Sequence, residues 1–181
     1  KNSYNCEVID AFGENPNQTW NEGNFIFRGL HPSEIENAVN YKSLESPEVF
    51  FVYAINLTYH RAIIEIIKQL RISFPNVPIA ILENTQSVTA YALENIQHEF
   101  YDAGATYVVM GEPEDRGVKL ARHILSKGKD KELLNLDGIG FRKDGEIFYN
   151  SAVKKIDNLD SLAFAAWELF PVKNYWRLKY S

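Results

Sequence analysis

Apolar and polar positions along this chain follow two different periods, and the two alternate at regular intervals. Residues 49–55 (VFFVYAI) form an unbroken apolar run, the pattern of a strand buried on both faces of a sheet. In residues 59–72 the apolar positions return every three to four residues instead. Ile63, Ile66, Ile67 and Leu70 share one helical face, while Arg61, Glu65 and Lys68 take the opposite one. The unit then repeats. Residues 78–83 (PIAILE) predict a strand, and residues 87–102 a helix carrying Val88, Tyr91, Ala92, Asn95 and the Phe100–Tyr101 end. Residues 103–115 (AGATYVVMGEPED) close that helix and open the next unit. Gly104 suits the left-handed position after a helix, and residues 106–110 form a β-branched and aromatic strand. Gly111 permits a sharp turn, and Pro113 with Glu112, Glu114 and Asp115 suits the first turn of a helix over residues 114–127.

The two ends of the chain carry other patterns. Residues 6–12 (CEVIDAF) predict a further strand, and residues 13–23 a polar, turn-rich loop in which Trp20 is the one large apolar group. Residues 25–30 predict a short extended piece. Ser33 and Glu36 have capping-box spacing and predict a helix from there to about Lys42. Residues 138–150 (GIGFRKDGEIFYN) predict a hairpin turning at Asp144–Gly145. Residues 156–176 are apolar and aromatic without strand alternation, which predicts a connector that packs on another surface. Strands alternating with helices define an α/β fold: a Rossmann-like or flavodoxin-like doubly wound parallel sheet, with a C-terminal β-hairpin and a helical linker. Residues 6–12, 49–55, 78–83 and 106–110 are its four expected parallel strands. The expected domains are residues 1–130 for the α/β part and 131–181 for the hairpin and linker.

Composition narrows the function classes. A net charge of −5 disfavours nucleic acid and anionic membrane as partners, since neither meets a basic stripe. No apolar run approaches the ~20 residues that span a bilayer, and no signal peptide opens the sequence, so the cytoplasm is the expected compartment. The single cysteine, Cys6, excludes an internal disulfide and is expected to be a buried structural thiol. No GxGxxG or GxxxxGK[ST] occurs, so the dinucleotide and P-loop readings fail. The four histidines lack metal-binding spacing; His98 and Asp102 stand four apart on one helix, which predicts a surface pair. A receiver domain shares the architecture but needs an acidic phospho-acceptor after a central strand, where Ile55 is followed by Asn56. Glu112, Glu114 and Asp115 have acid–base capability, although carboxylates at a helix start ordinarily complement its dipole. No catalytic residue and no metal ligand is assigned.

The segments taken in order resemble the cobalamin-binding domain that precedes the catalytic barrel in class B radical S-adenosylmethionine enzymes. CEVIDAF is similar to that family's second strand, GLHPSEIENAV to its following helix start, and GATYVVMGEPE to its "gaDYVVrGEgE" turn. GIGFRKDGEIFYN resembles its "GlayRdgGeiv" segment, and IDNLDSLAFAAWELFP its "i.dLDsLPfPAWdLlp" linker to the radical domain. The resemblance implies cobalamin held at the strand ends of a doubly wound sheet. The iron–sulfur cluster and S-adenosylmethionine would belong only to a downstream radical domain, which would be this module's partner. The parent activity implied is a methyltransferase or a related Fe–S oxidoreductase or cyclase, acting on a small molecule or peptide.

Three departures shape the expectation. The chain lacks the family's first strand and helix, so either residues precede it or the topology differs. Ala11, Phe12 and Gly13 follow Asp10 where a DxHxxG motif would supply the cobalt-ligating histidine, which implies base-off cobalamin without a histidine ligand. Glu83 and Asn84 replace a glycine pair that lets the corrin approach, and their side chains stand to obstruct it. Expected cofactor contacts are Asn56, Leu57, Thr58 and Tyr59, then Glu83, Asn84, Thr85 and Gln86, then Gly111, Glu112 and Pro113. Two other functions fit the pattern: a degenerate cobalamin-type scaffold or substrate-docking domain without cofactor, and an unrelated flavodoxin-like binder of a nucleotide or flavin.

Overall fold

The apolar run at residues 49–55 finds its partner in the next apolar run, and the two pair in parallel. In the computed structural model, residues 4–42, 46–85 and 92–178 are described. They fall into two compact units, one spanning Pro47–Leu162 and the other built from the stretches before and after it.

The larger unit is a mixed five-stranded sheet in the order β3-β4-β5-β6-β7. Strands β3 (Phe50–Ala54), β4 (Ile79–Glu83) and β5 (Tyr107–Val109) are parallel. They are joined by helices α3 (His60–Ser73) and α4 (Leu93–Ala103). Helices α5 (Pro113–Leu125) and α6 (Asp130–Leu133) lead from β5 to the hairpin of β6 (Ile139–Lys143) and β7 (Glu146–Tyr149). That hairpin extends the sheet, because β6 pairs antiparallel with β5. Its turn uses positive φ at both Asp144 and Gly145, the twist that matches two right-handed strands.

Register sorts the side chains onto two faces. Ala80, Val109, Ile139 and Phe141 pack with Leu120 of α5 and Leu133 of α6. The alternate residues Ile79, Ile81 and Val108 are fully buried on the opposite face. There Gly140 lies beside Val108, and a Cβ on it would meet Val108 Cγ2 at 2.7 Å, with Gln97 and Tyr101 of α4 close behind. Glycine is therefore what lets α4 sit down on the sheet. Ile63, Ile67 and Leu70 of α3 are buried as the helical period predicts. The edge where β4 and β5 begin is tied by Arg71. Its Nε and Nη2 donate to the Gly104 carbonyl at 3.0 and 2.8 Å, and Nη1 to those of Pro75 and Val77 at 2.6 and 3.1 Å.

The smaller unit contains α1 (Ala11–Glu14), a ribbon of β1 (Thr19–Glu22) and β2 (Phe25–Arg28), α2 (Ile35–Lys42) and α7 (Val172–Trp176). Trp20 stacks on Phe27 across the ribbon, so the expected loop at 13–23 in fact supplies a strand. Tyr175 donates its hydroxyl to Asp10, and Asn174 donates to the Gly13 carbonyl at 2.9 Å, docking α7 on α1.

Four expectations are corrected here. Strand β3 is not buried on both faces: it ends the sheet, and Phe51 and Tyr53 are 37 and 45% exposed. Residues 6–12 are not a strand and do not join the sheet: Asp10 accepts the Gly13 N–H at 2.9 Å and caps α1. An aspartate that bonds its own neighbouring backbone offers the chain an alternative to a ladder, and only Val8 and Ile9 argued for one. With no strand to bury it, Cys6 is exposed rather than structural. The capping box also lies earlier than expected. His31 and Glu34 form it, not Ser33 and Glu36, because Pro32 takes the first helical position of a 3-10 turn that precedes α2. Of the expected helix at 87–102, Val88 and Tyr91 lie outside the described residues.

Replacing Arg71 by methionine should lower stability by about 2 kcal/mol, because half-buried carbonyls lose their charged donor. Urea denaturation should show it, with Lys68→Met, an exposed change, within about 0.5 kcal/mol of the parent.

Candidate functional site

Parallel strands in register deliver their following loops to one edge, and Ala54 beside Glu83 and Leu82 beside Val109 set that register here. After β3, Asn56 accepts the Thr58 N–H at 3.0 Å and caps a 3-10 turn over Leu57–Tyr59. The turn leaves apolar surface open: Ile55, Leu57 and Tyr59 are 48, 54 and 46% exposed. Tyr53, on β3 itself, titrates above its usual value, first through burial and then through the charge of Glu114.

Glu83 and Asn84 turn inward rather than outward. One Glu83 oxygen accepts the Leu93 N–H at 2.9 Å, and the other accepts the Gly111 N–H. A single carboxylate thus joins the start of α4 to the turn after β5. Asn84 is 7% exposed, and its amide donates to the Ile55 carbonyl at 2.6 Å, joining the ends of β3 and β4. Thr85 is exposed at the same edge, and Gln86 lies outside the described residues.

After β5, Gly111 takes φ +71°, and a Cβ there would meet Ala152 Cβ at 2.8 Å. Pro113 begins α5, as its fixed φ suits. Glu112 accepts the Ile156 N–H at 2.8 Å through its side chain and the Arg116 Nη1 donor at 2.8 Å through its carbonyl. Arg116 is 5% exposed and bonds Asp137 through Nε at 2.9 Å and Nη2 at 2.6 Å, with Nη2 also reaching the Lys154 carbonyl. Asp137 in turn accepts the N–H groups of Val153 and Lys154 at 3.1 and 3.3 Å. Residues 152–156 are therefore strapped across the end of β5. Burial pushes the Asp137 carboxyl up, but the Arg116 donors, the two amides and the Arg116 charge together hold it below the usual carboxylate range.

The sequence-derived contacts Asn56–Tyr59, Glu83–Thr85 and Gly111–Pro113 do share one edge. Arg116, Asp137 and the strap were not among them. Their only sequence signal is a glycine (Gly138) after Asp137 and an arginine one turn into a helix. Asp115 pairs with Lys119 on the exposed face of α5, the behaviour of a helix-start carboxylate. Asp102 pairs with Arg142 at 2.7 Å rather than with His98. Among the described residues no group of three or more His, Cys, Asp or Glu side chains is arranged to hold a metal ion, and no helix is long and apolar enough to cross a membrane. Comparison with protein-family models, with curated proteins and with solved structures returned no match for the chain.

Asp137→Asn should cost about 3 kcal/mol at pH 7, because it leaves the Arg116 guanidinium buried without its counter-charge. The depressed pKa gives the sign of the pH dependence. The pair's contribution is complete above the unfolded value near ~4 and is lost as pH falls through the folded one. Thermal unfolding from pH 7 to pH 2 should therefore fall less steeply for the variant than for the parent.

Proposed function

We propose that this chain is a cobalamin-type α/β module of a cytoplasmic radical S-adenosylmethionine enzyme, with the corrin lying over the ends of β3 and β4. The observation that carries the reading is the inward turn of Glu83 and Asn84. Both side chains stand where the resembled family has glycines, and both are spent on backbone partners instead of projecting over the edge. The exposed Ile55, Leu57 and Tyr59 offer apolar contact for a corrin rim, and Thr58, Thr85 and the loop amides offer partners for its side-chain amides. With no histidine placed by motif beside the edge, the binding mode is base-off and histidine-free.

Cobalamin bound in such a module would supply a methyl carrier to the adjoining domain. This chain's own part is to bind and orient: Asn56 fixes the loop after β3, Glu83 fixes the turn after β5, and the apolar side chains exclude water. The iron–sulfur cluster and S-adenosylmethionine would sit in a domain following the connector. The doubly wound, flavodoxin-like form of the fold belongs to the same proposal. Strand β3 ends the sheet, with Phe51 37% and Tyr53 45% exposed, and a parallel strand with one open side suits a further strand and helix there.

A second reading, a cofactor-free scaffold or substrate-docking domain, is favoured by one observation. The strap at residues 152–156 already bonds Glu112 and Arg116 where a ligand over β5 would lie.

Hydroxocobalamin titrated into the protein should shift its visible spectrum to the base-off form and co-elute on gel filtration, and Leu57→Glu should weaken binding at least about tenfold. An unchanged spectrum without co-elution overturns the cofactor reading and leaves the scaffold one.

A further inference from the structure

The smaller unit holds a cleft of about 310 Å³ that neither the corrin reading nor the scaffold reading uses. It is lined by Pro16, Asn17, Thr19, Arg28, Arg177 and Leu178. Two arginines from opposite ends of the sequence face it, and no carboxylate is among the lining residues, although the chain as a whole has 24 acidic against 19 basic residues.

Both arginines are brought there by defined local structure. Thr19 and Arg28 are directly opposed across the ribbon of β1 and β2, so their side chains leave the same face. The stacked pair Trp20 and Phe27 occupies the other face. Arg177 follows α7 directly, and α7 is docked by Tyr175 on Asp10 and Asn174 on the Gly13 carbonyl. Burial, and then the bond to Asp10, pushes the Tyr175 hydroxyl above its usual titration range, so that anchor stays protonated at neutral pH. Among the described residues neither the Arg28 nor the Arg177 guanidinium has an ion pair, whereas Arg116 and Arg142 each have one.

We infer that Arg28 and Arg177 form a binding site for the carboxylate or phosphate group of a small anionic molecule. Two guanidiniums facing one cleft repel each other, and an oxyanion between them turns that repulsion into two charge-assisted forks. Asn17 and Thr19 add an amide and a hydroxyl donor at the same wall. Pro16 and Leu178 give apolar surface for the ligand's carbon skeleton. The volume lies at the small end of ligand sites, about 300–1,000 Å³, which fits a metabolite-sized anion rather than a folded partner. Both arginines are exposed, so binding is weakened by salt.

The test uses the whole chain and two probes, pyrophosphate for the phosphate source and citrate for the carboxylate source. Calorimetric titration at low ionic strength should show saturable binding of one of them, millimolar or tighter. Arg28→Gln and Arg177→Gln should each weaken it at least about tenfold. Lys68→Gln, which removes an equal charge from α3, should leave it unchanged, and all three variants should keep the parent's urea midpoint. Stronger binding of pyrophosphate assigns a phosphate ligand, and stronger binding of citrate a carboxylate. No saturable binding of either probe, or equal weakening by Lys68→Gln, overturns the site. The outcome is independent of hydroxocobalamin, whose contacts lie on the larger unit.

Discussion

The Glu83 carboxylate is the contact on which the strand-end edge depends. A β-ladder organises backbone only as far as the strands run, and β5 ends at Val109. Beyond that point the first amides of α4 and the turn at Gly111 have no ladder partner. Glu83 accepts one N–H from each. Hydrogen bonds to a charged acceptor are worth about 1.5–3 kcal/mol, roughly twice the neutral kind. At the end of β4 the glutamate meets both the start of its own following helix and the turn after the adjacent β5, whereas a side chain on β3 lies one strand further from that turn. The same residue that departs from a glycine pattern in the sequence therefore holds the edge in shape.

Two arginines serve the opposite ends of the sheet in a comparable way. Arg71 gathers the carbonyls of Pro75, Val77 and Gly104 where β4 and β5 begin. Arg116, at the other end, pairs with Asp137 and takes the Glu112 and Lys154 carbonyls. Each satisfies acceptors that helix ends and turns leave without backbone donors. The guanidinium fork suits this role because one planar group meets several oxygens at fixed angles. The chain leaving β7 is bound over the strand ends, so the surface left open lies toward β3 and its loop.

The connector after that strap keeps a different character. Leu159, Phe164 and Trp167 are largely exposed, and Phe164 is fully so. Side chains of this size left uncovered form an apolar patch along the connector. From Pro171 onward the chain is tied into the smaller unit through Asn174 and Tyr175.

The sequence by itself determined the α/β repeat. The existence of β3, the period of α3, the Gly104 helix end, the Pro113 helix start and the Asp144–Gly145 hairpin all rest on interactions within a few residues, and each stands as read, although β3 is not buried on both faces as its apolar run predicts. It also placed Asn56–Tyr59, Glu83–Thr85 and Gly111–Pro113 at one edge, because parallel topology fixes where loops emerge. Tertiary structure decided the rest. CEVIDAF has strand-like composition, but a strand needs a neighbour, and Asp10 spends its carboxylate on Gly13 and Tyr175 instead. Glu83 has no partner in its own stretch of sequence; those it has, at Leu93 and Gly111, are brought to it by folding. Arg116 and Asp137, or Arg28 and Arg177, carry no mutual spacing that a linear pattern could detect. Their meaning arises only when distant segments share a wall, which is a property of packing and not of any local stretch.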